Sequence, residues 1–149
     1  IIGPASTGKT TLARALAERL GTKWVPERAE TLRELNRGAG VGPDWTEIVR
    51  GQIASEEALA RDADRILICD TDPLLTTVWA EHLLGSCPPE LTDLAWRRYD
   101  LTLLTAPDPP SETDRVPGPP GDSGSVFARC DQALSAAGRT FVVVSGSLE

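Results

Sequence analysis

The sequence predicts an α/β domain with a parallel sheet. Short apolar runs rich in β-branched residues alternate along the chain with segments that have a helical period, which is typical of parallel sheets. A glycine-containing segment, residues 3–11, stands between the first apolar run and the first helical segment. Loops that follow parallel strands meet at one edge of the sheet, so residues in those loops are the first candidates for a functional site.

The elements follow one another in a regular order. The predicted strands are residues 1–2, 23–25, 65–69, 101–105 and 140–144. The predicted helices are residues 12–20, 29–35, 74–84, 90–98 and 126–137, together with a long helix that has Asp44 as its N-cap. That long helix is expected to turn Ile48, Ile53, Leu59 and Ala63 inward.

The segment Gly3-Pro4-Ala5-Ser6-Thr7-Gly8-Lys9-Thr10-Thr11 fits the pattern G-x-x-x-x-G-K-[ST], the phosphate-binding P-loop. Its glycines let successive backbone N–H groups face phosphate oxygens, and the following helix adds the positive end of its dipole. Lys9 is expected to reach the β- and γ-phosphates, and Thr10 to bind Mg²⁺. The predicted nucleotide-binding residues are Gly3, Ser6, Thr7, Gly8, Lys9, Thr10 and Thr11.

These features predict a three-layer α/β fold of the P-loop NTPase class, similar to nucleotide kinases. Five parallel strands are expected in the order 2-3-1-4-5, because that order brings the acids at the ends of the second and third strands beside the P-loop. By its length of 149 residues, the chain is one domain. It begins two residues before the P-loop glycine and contains no methionine, so we expect a fragment that lacks most of its first strand.

Acidic residues follow the third and second strands. Asp70 comes directly after the apolar run 65–69, as in a Walker B strand, and is the candidate for holding Mg²⁺. Asp72 could contact a substrate hydroxyl or act as a base, or it could cap the helix that begins near residue 73. Glu27 could accept the proton of an acceptor hydroxyl, or be a first-turn acid favoured by the helix dipole.

Residues 106–124 form a segment in which nine of the nineteen residues are proline or glycine. It is predicted to be a mobile loop in the position of a kinase lid, where Arg115 could steady the transferring phosphoryl group or be solvated. Gln52 could hydrogen-bond an amide of the substrate or lie on a solvated helix face. Trp45 could stack on a heteroaromatic ring, with core packing as the alternative.

The composition excludes several classes of partner. The net charge is −7, and the arginines are scattered among carboxylates, which argues against binding to nucleic acid or to an anionic membrane. No apolar run reaches the length of a membrane span, and no signal peptide is visible. The widely spaced Cys69, Cys87 and Cys130 are typical of reduced thiols, so a cytoplasmic protein is expected.

Five motifs occur in order along the chain: V-P-E, R-G-Q-I-A, C-D-T-D-x-L-x-T-T-V-W, Y-D-L-T-L-L-T-A-P-D and F-V-V-V-S-G. With the P-loop, this series resembles the NadR-like ATPases, the nicotinamide riboside kinase domains of NAD-salvage proteins. The resemblance implies phosphorylation of nicotinamide riboside to the mononucleotide with ATP and Mg²⁺. It assigns the phosphate and metal loop to Gly8, Lys9 and Thr10, and it implies a nucleotidyltransferase domain upstream.

The chain departs from the family pattern at a few positions. Glu30 stands where the family usually has arginine, Ala5 stands where it usually has glutamate, and the proline-rich segment is shortened. Two other hypotheses stand beside a small-molecule kinase, and the departures bear on the second of them. One is a P-loop ATPase or nucleotide-dependent regulatory module without kinase activity, and the other is a kinase that has decayed.

Overall fold

A computed structural model of the chain describes residues 1–28, 44–107 and 123–146. The predicted helix at 29–35, Glu30, Arg115 and most of the 106–124 segment lie outside the described residues. The other predicted strands and helices fall within them.

Five helices and four strands occur among the described residues. The helices are α1 (Lys9–Leu20), α2 (Trp45–Ala60), α3 (Pro73–Leu84), α4 (Pro89–Ala95) and α5 (Ser123–Ala136). The strands are β1 (Lys23–Val25), β2 (Leu67–Cys69), β3 (Thr102–Thr105) and β4 (Phe141–Val144). Each element was predicted in type and order. Some ends differ; α1, for example, starts at Lys9 because the left-handed Gly8 (φ 78°) passes directly into the helix.

The strands pair in two parallel sheets of two strands each, β1 with β2 and β3 with β4. The segment before the P-loop contacts both sheets. Ile1 N donates to Cys69 O at the end of β2 (2.7 Å), and Ile2 forms an isolated parallel bridge with Leu104 of β3. Because this segment is a bridge and not a strand, one continuous five-stranded sheet in the order 2-3-1-4-5 remains a prediction.

Helix α2 begins where the sequence predicts, since the Asp44 side chain accepts the backbone N–H groups of Thr46 and Glu47, each at 3.0 Å. Its predicted inner face is partly wrong: Ala63 lies beyond the end of the helix. The inward position of Ile48 is confirmed, and Ile53 packs partly buried against the core, but the other buried positions are Val49, Gln52 and Glu56. A solvated position for Gln52 is therefore also wrong, because its side chain finds a polar partner inside the protein.

Helix α3 is apolar along most of its length because it packs against α2, α4 and α5. The larger core cluster consists of Ile2, Leu74, Leu75, Val78, Ala95, Leu104, Val126, Cys130 and Leu134. A smaller cluster consists of Val49, Ala80 and Leu91. None of the helices in the described ranges has both the length and the hydrophobicity that a membrane span requires.

Candidate functional site

The P-loop packs closely against the end of β3. At Gly3 (φ 150°), an added Cβ would lie 2.2 Å from Thr105 Oγ1 and 2.8 Å from Thr105 O, so no side chain fits there. Thr7 closes the turn, since its hydroxyl donates to Pro4 O at 2.9 Å and contacts Thr105 Oγ1 at 2.6 Å. These contacts hold the loop against the end of β3.

The N-terminus of α1 can receive an anion. Gly8 offers no side-chain cap, and the first turn contains no acidic residue, so no carboxylate competes with a phosphate for the first N–H groups. Lys9 is buried, and its Nζ donates to Pro4 O at 2.8 Å, which takes one of the three ammonium donors. Ser6 (φ 59°) and Thr11 complete the exposed part of this loop.

Thr10 and Asp70 meet beside the loop. The Thr10 hydroxyl donates to Asp70 Oδ2 at 2.6 Å, and Asp70 is fully buried. Its other oxygen, Oδ1, has no hydrogen-bond partner among the described residues. An unpartnered carboxylate oxygen next to a hydroxyl is a fitting oxygen set for Mg²⁺, which protein sites hold through few side chains together with phosphates and water. No larger group of His, Cys, Asp or Glu able to hold a metal occurs within the described ranges.

Thr71 follows Asp70 in a left-handed conformation (φ 82°) that β-branched residues rarely adopt. The chain is held there from both sides: Asp70 N donates to Val25 O (2.9 Å) and Thr71 N donates to Ile1 O (2.8 Å). The Thr71 hydroxyl is buried without a hydrogen-bond partner among the described residues. Strained backbone and an unsatisfied polar atom are features of functional sites.

Asp72 has its two side-chain oxygens engaged by protein groups. Oδ1 accepts the backbone N–H of Leu75 at 3.1 Å and caps α3, and Oδ2 pairs with Arg139 Nη1 at 2.6 Å. The ion pair is buried, since the side chains are 3% and 8% exposed, respectively. The structure thus realises the capping alternative for Asp72, and a contact between Asp72 and a substrate stays a prediction.

A pocket lies beside this segment, between the end of β1, the start of α2 and α3. Glu27 lines it together with Arg28, Trp45, Ile48, Gln52, Thr71, Leu75, Thr76 and Trp79. Trp45 and Trp79 are half-buried and provide aromatic surface, while the polar groups converge from three separate segments. Its volume is about 40 Å³, well below the roughly 300 Å³ at which ordinary small-molecule pockets begin. Of the predicted site residues, Glu27 lines this pocket, and Asp70 is the chain neighbour of Thr71, which also lines it.

A buried polar cluster supports this pocket from behind. Glu56 accepts hydrogen bonds from Tyr99 (2.8 and 3.0 Å), from Arg97 Nε (3.1 Å) and from Gln52 Nε2 (3.4 Å). Burial raises the pKa of the Glu56 carboxyl above its ordinary value of 4.5, against the lowering effect of the Tyr99 hydrogen bond. The pKa of the Tyr99 hydroxyl is also raised. Burial is the largest cause, and the negative charges of Asp72 and Glu56 are the next largest.

Three residues of this region were missed by sequence reasoning: Glu56, Thr71 and Arg139. Glu56 did carry a signal, because it lies four residues after Gln52 and eight after Ile48, on the same helical face. Thr71 lies between the two predicted acids, Asp70 and Asp72, in the sequence, and that position was its signal. Arg139 had no local signal, since its partner Asp72 is 67 residues away.

Comparisons with known proteins support the fold. The model of the AAA domain family matches residues 1–149. No curated protein matches the sequence. Among solved structures, the chain is similar to a NadR protein in complex with NR, at 24% identity and a TM-score of 0.76. It is also similar to a NadR protein in complex with NAD and AMP-PNP, at 23% identity and a TM-score of 0.73.

The alignments cover 99% of this chain but only 45% and 43% of the two NadR chains, so the chain spans less than half of their length. They confirm the α/β fold of the P-loop NTPase type. The resemblance to the NadR-like ATPases is likewise confirmed at the level of the fold.

Proposed function

Since the chain belongs to the AAA domain family and shares its fold with NadR proteins, we propose that it is an ATP-dependent small-molecule kinase. Its most fitting acceptor is nicotinamide riboside, phosphorylated to the mononucleotide in NAD salvage. The observation that carries the proposal is the hydrogen bond between Thr10 of the P-loop and the buried Asp70, whose Oδ1 has no partner among the described residues.

The chain's own residues divide into two groups in this proposal. On the nucleotide side, Lys9 and the first N–H groups of α1 bind the phosphates, with Gly3, Ser6, Thr7, Gly8 and Thr11 shaping the loop. Thr10 and Asp70 hold Mg²⁺. When bound, ATP supplies the phosphoryl group and Mg²⁺ neutralises the phosphate charge.

On the acceptor side, Glu27 lines the pocket and is the proposed base for the acceptor hydroxyl. Asp72 is assigned a positioning role, because its oxygens already hold Leu75 N and Arg139. Arg115 remains the proposed cation for the transferring phosphoryl group. A nucleotidyltransferase domain upstream and a cytoplasmic location are further parts of the proposal.

The test is a coupled assay of ADP release with ATP and Mg²⁺, in the presence and absence of nicotinamide riboside. We expect release that depends on the riboside and disappears in Lys9→Ala. Lys23→Ala is the matched control, since Lys23 is exposed on β1 away from the P-loop sequence.

Release that is indifferent to the riboside would leave the other hypothesis, a P-loop ATPase or regulatory module. A decayed kinase would release little ADP with or without the riboside, and Glu30→Arg should then raise its turnover.

A further inference from the structure

Two threonine hydroxyls meet where the P-loop packs against β3. Thr7 Oγ1 lies 2.6 Å from the Oγ1 of Thr105, a residue that is 3% exposed and ends β3. The close approach requires a glycine at position 3, since an added Cβ would lie 2.2 Å from Thr105 Oγ1. The backbone of Thr105 is held as well, because its N–H donates to Ile2 O at 2.9 Å. The strand therefore presents the Thr105 hydroxyl to the loop from a fixed position.

The direction of the hydrogen bond between the two hydroxyls follows from the hydrogens available. Each hydroxyl has one hydrogen to donate, and that of Thr7 goes to Pro4 O at 2.9 Å. Thr105 is then the donor in the contact with Thr7. Its other acceptor, Ile2 O, is farther away at 3.3 Å and already accepts the Thr105 N–H. The hydrogen bonds therefore run from Thr105 to Thr7 and from Thr7 to Pro4 O.

The Pro4 carbonyl is also the partner of the P-loop lysine. Lys9 Nζ donates to Pro4 O at 2.8 Å, so the carbonyl that Thr7 holds is the one that orients the buried ammonium. Hydrogen bonds in such a chain polarise one another, and a hydroxyl that accepts a hydrogen bond becomes a better donor. Thr105 is thus connected to Lys9 through two residues of the loop, although it lies 96 residues further along the chain.

We propose that Thr105 is a positioning residue for the phosphates of the nucleotide. Its hydroxyl fixes Thr7, Thr7 fixes the Pro4 carbonyl, and that carbonyl aims the Lys9 ammonium. The inference rests on the nucleotide side of the proposed function and deepens it, because it assigns a role in phosphate binding to a residue outside the P-loop motif. Without the Thr105 hydroxyl, Thr7 Oγ1 loses its donor and the loop is held less firmly, so the affinity for the phosphates falls.

Calorimetry with AMP-PNP and Mg²⁺ on the full chain measures this effect. Thr105→Val replaces the hydroxyl by a methyl group and should weaken binding by about 3–10-fold, which corresponds to one lost hydrogen bond. Thr105→Ser keeps the hydroxyl and should stay within about twofold of wild type. Thr102→Val is the matched control, since Thr102 is 2% exposed on the same strand and alternation places it on the opposite face. It should keep the wild-type affinity.

A double-mutant cycle shows whether Thr105 acts through Thr7. Thr7→Val alone should weaken AMP-PNP binding about as much as Thr105→Val, and combining the two should add little further loss. Urea unfolding of the same variants reports stability separately, and the affinity loss should follow the Thr7–Thr105 contact and not the stability. Additive losses, unchanged affinity in Thr105→Val, or an equal loss in Thr102→Val would overturn the inference.

The wild-type titration separates the two levels of the argument. If wild type binds AMP-PNP and Thr105→Val binds it equally well, only the role of Thr105 is wrong. If wild type does not bind AMP-PNP, the proposed function is wrong and the role of Thr105 with it.

Discussion

The hydroxyl of Thr10 and the carboxylate of Asp70 are joined by a 2.6 Å hydrogen bond across 60 residues of sequence. The bond ties the first turn of α1 to the end of β2. It also decides which carboxylate oxygen is left unpaired among the described residues, since Oδ2 accepts the Thr10 hydrogen bond and the buried Oδ1 has no partner there. The protein alone therefore fixes the orientation of the carboxylate that we propose to hold Mg²⁺.

Asp70→Asn should lower the phosphorylation of nicotinamide riboside by about 10–100-fold and raise the Mg²⁺ concentration needed for half-maximal rate, because an amide is a weaker ligand than a carboxylate. Thr10→Val should act in the same direction, while Thr10→Ser keeps the hydroxyl and should stay close to wild type. Steady-state kinetics over a range of Mg²⁺ concentrations measures this. An unchanged Mg²⁺ dependence in Asp70→Asn would contradict the assignment.

Gly8→Ala and Gly85→Ala form a matched pair, since both glycines are left-handed (φ 78° and 74°) and neither has an atom within 4 Å of an added Cβ. Each change should cost about 1–2 kcal/mol of unfolding free energy from backbone strain alone. Only Gly8→Ala should weaken binding of AMP-PNP, since Gly85 follows α3 and Gly8 lies in the P-loop. Equal losses of nucleotide affinity would argue against phosphate binding at this loop.

Gly51 is a helix-interior glycine that makes room for Arg28. A Cβ at Gly51 would lie 2.6 Å from Arg28 Nε and 2.9 Å from its Cδ and Cζ. In an Arg28→Ala background, Gly51→Ala should raise the unfolding free energy by about 1 kcal/mol through helix propensity. In wild type the gain should be smaller, because Arg28 must move. Urea unfolding of the double-mutant cycle tests this, and additive effects would show that the two residues do not interact.

Arg139→Leu should destabilise the fold by about 3–5 kcal/mol, because it leaves the buried Asp72 carboxylate without its counter-charge. Arg139 also donates to Ala95 O and Arg97 O, so the loss includes two further hydrogen bonds. Adding Asp72→Asn should recover part of the loss, since asparagine still caps α3. A double variant that is no more stable than Arg139→Leu would show that the charge is not the cause.

Stability should depend on pH through Glu56. Because burial raises the pKa of Glu56 in the folded state, its contribution is fully present below the ordinary value of 4.5 and is lost as the pH rises through the raised pKa. The unfolding free energy of wild type should therefore fall relative to Glu56→Gln as the pH rises above 4.5. Parallel unfolding curves across that range measure the difference, and a constant difference would count against the raised pKa.

The nucleotide half of the site could be predicted from sequence because its determinants are consecutive. The residues of the P-loop are neighbours in the chain, and Asp70 directly follows an apolar strand. Neither prediction needs knowledge of a distant contact. The conformation of Thr71 does depend on distant contacts, since Val25 of β1 and Ile1, which hold the backbone at Asp70 and Thr71, come from another part of the chain.

The buried polar cluster around Glu56 could not be predicted from the spacing of apolar residues along α2. Gln52 and Glu56 occupy the buried face of α2, where the pattern calls for apolar side chains. Their burial depends on Arg97 and Tyr99, which are 41 and 43 residues beyond Glu56 in the sequence. Hydrophobic periodicity describes which faces are covered, and it carries no information about polar partners that arrive from elsewhere.

The guanidinium of Arg139 joins the start of α3 to the end of α4 and lies 5.1 Å from the Tyr99 ring. In a library of variants screened for activity, substitutions at Arg139 and at the P-loop residue Lys9 should therefore both lower the measured activity. The causes differ, since one loses stability and the other loses a phosphate-binding charge. Cooling would tell them apart: output from a thermally weakened variant recovers at low temperature, and output from a variant without its phosphate-binding charge does not.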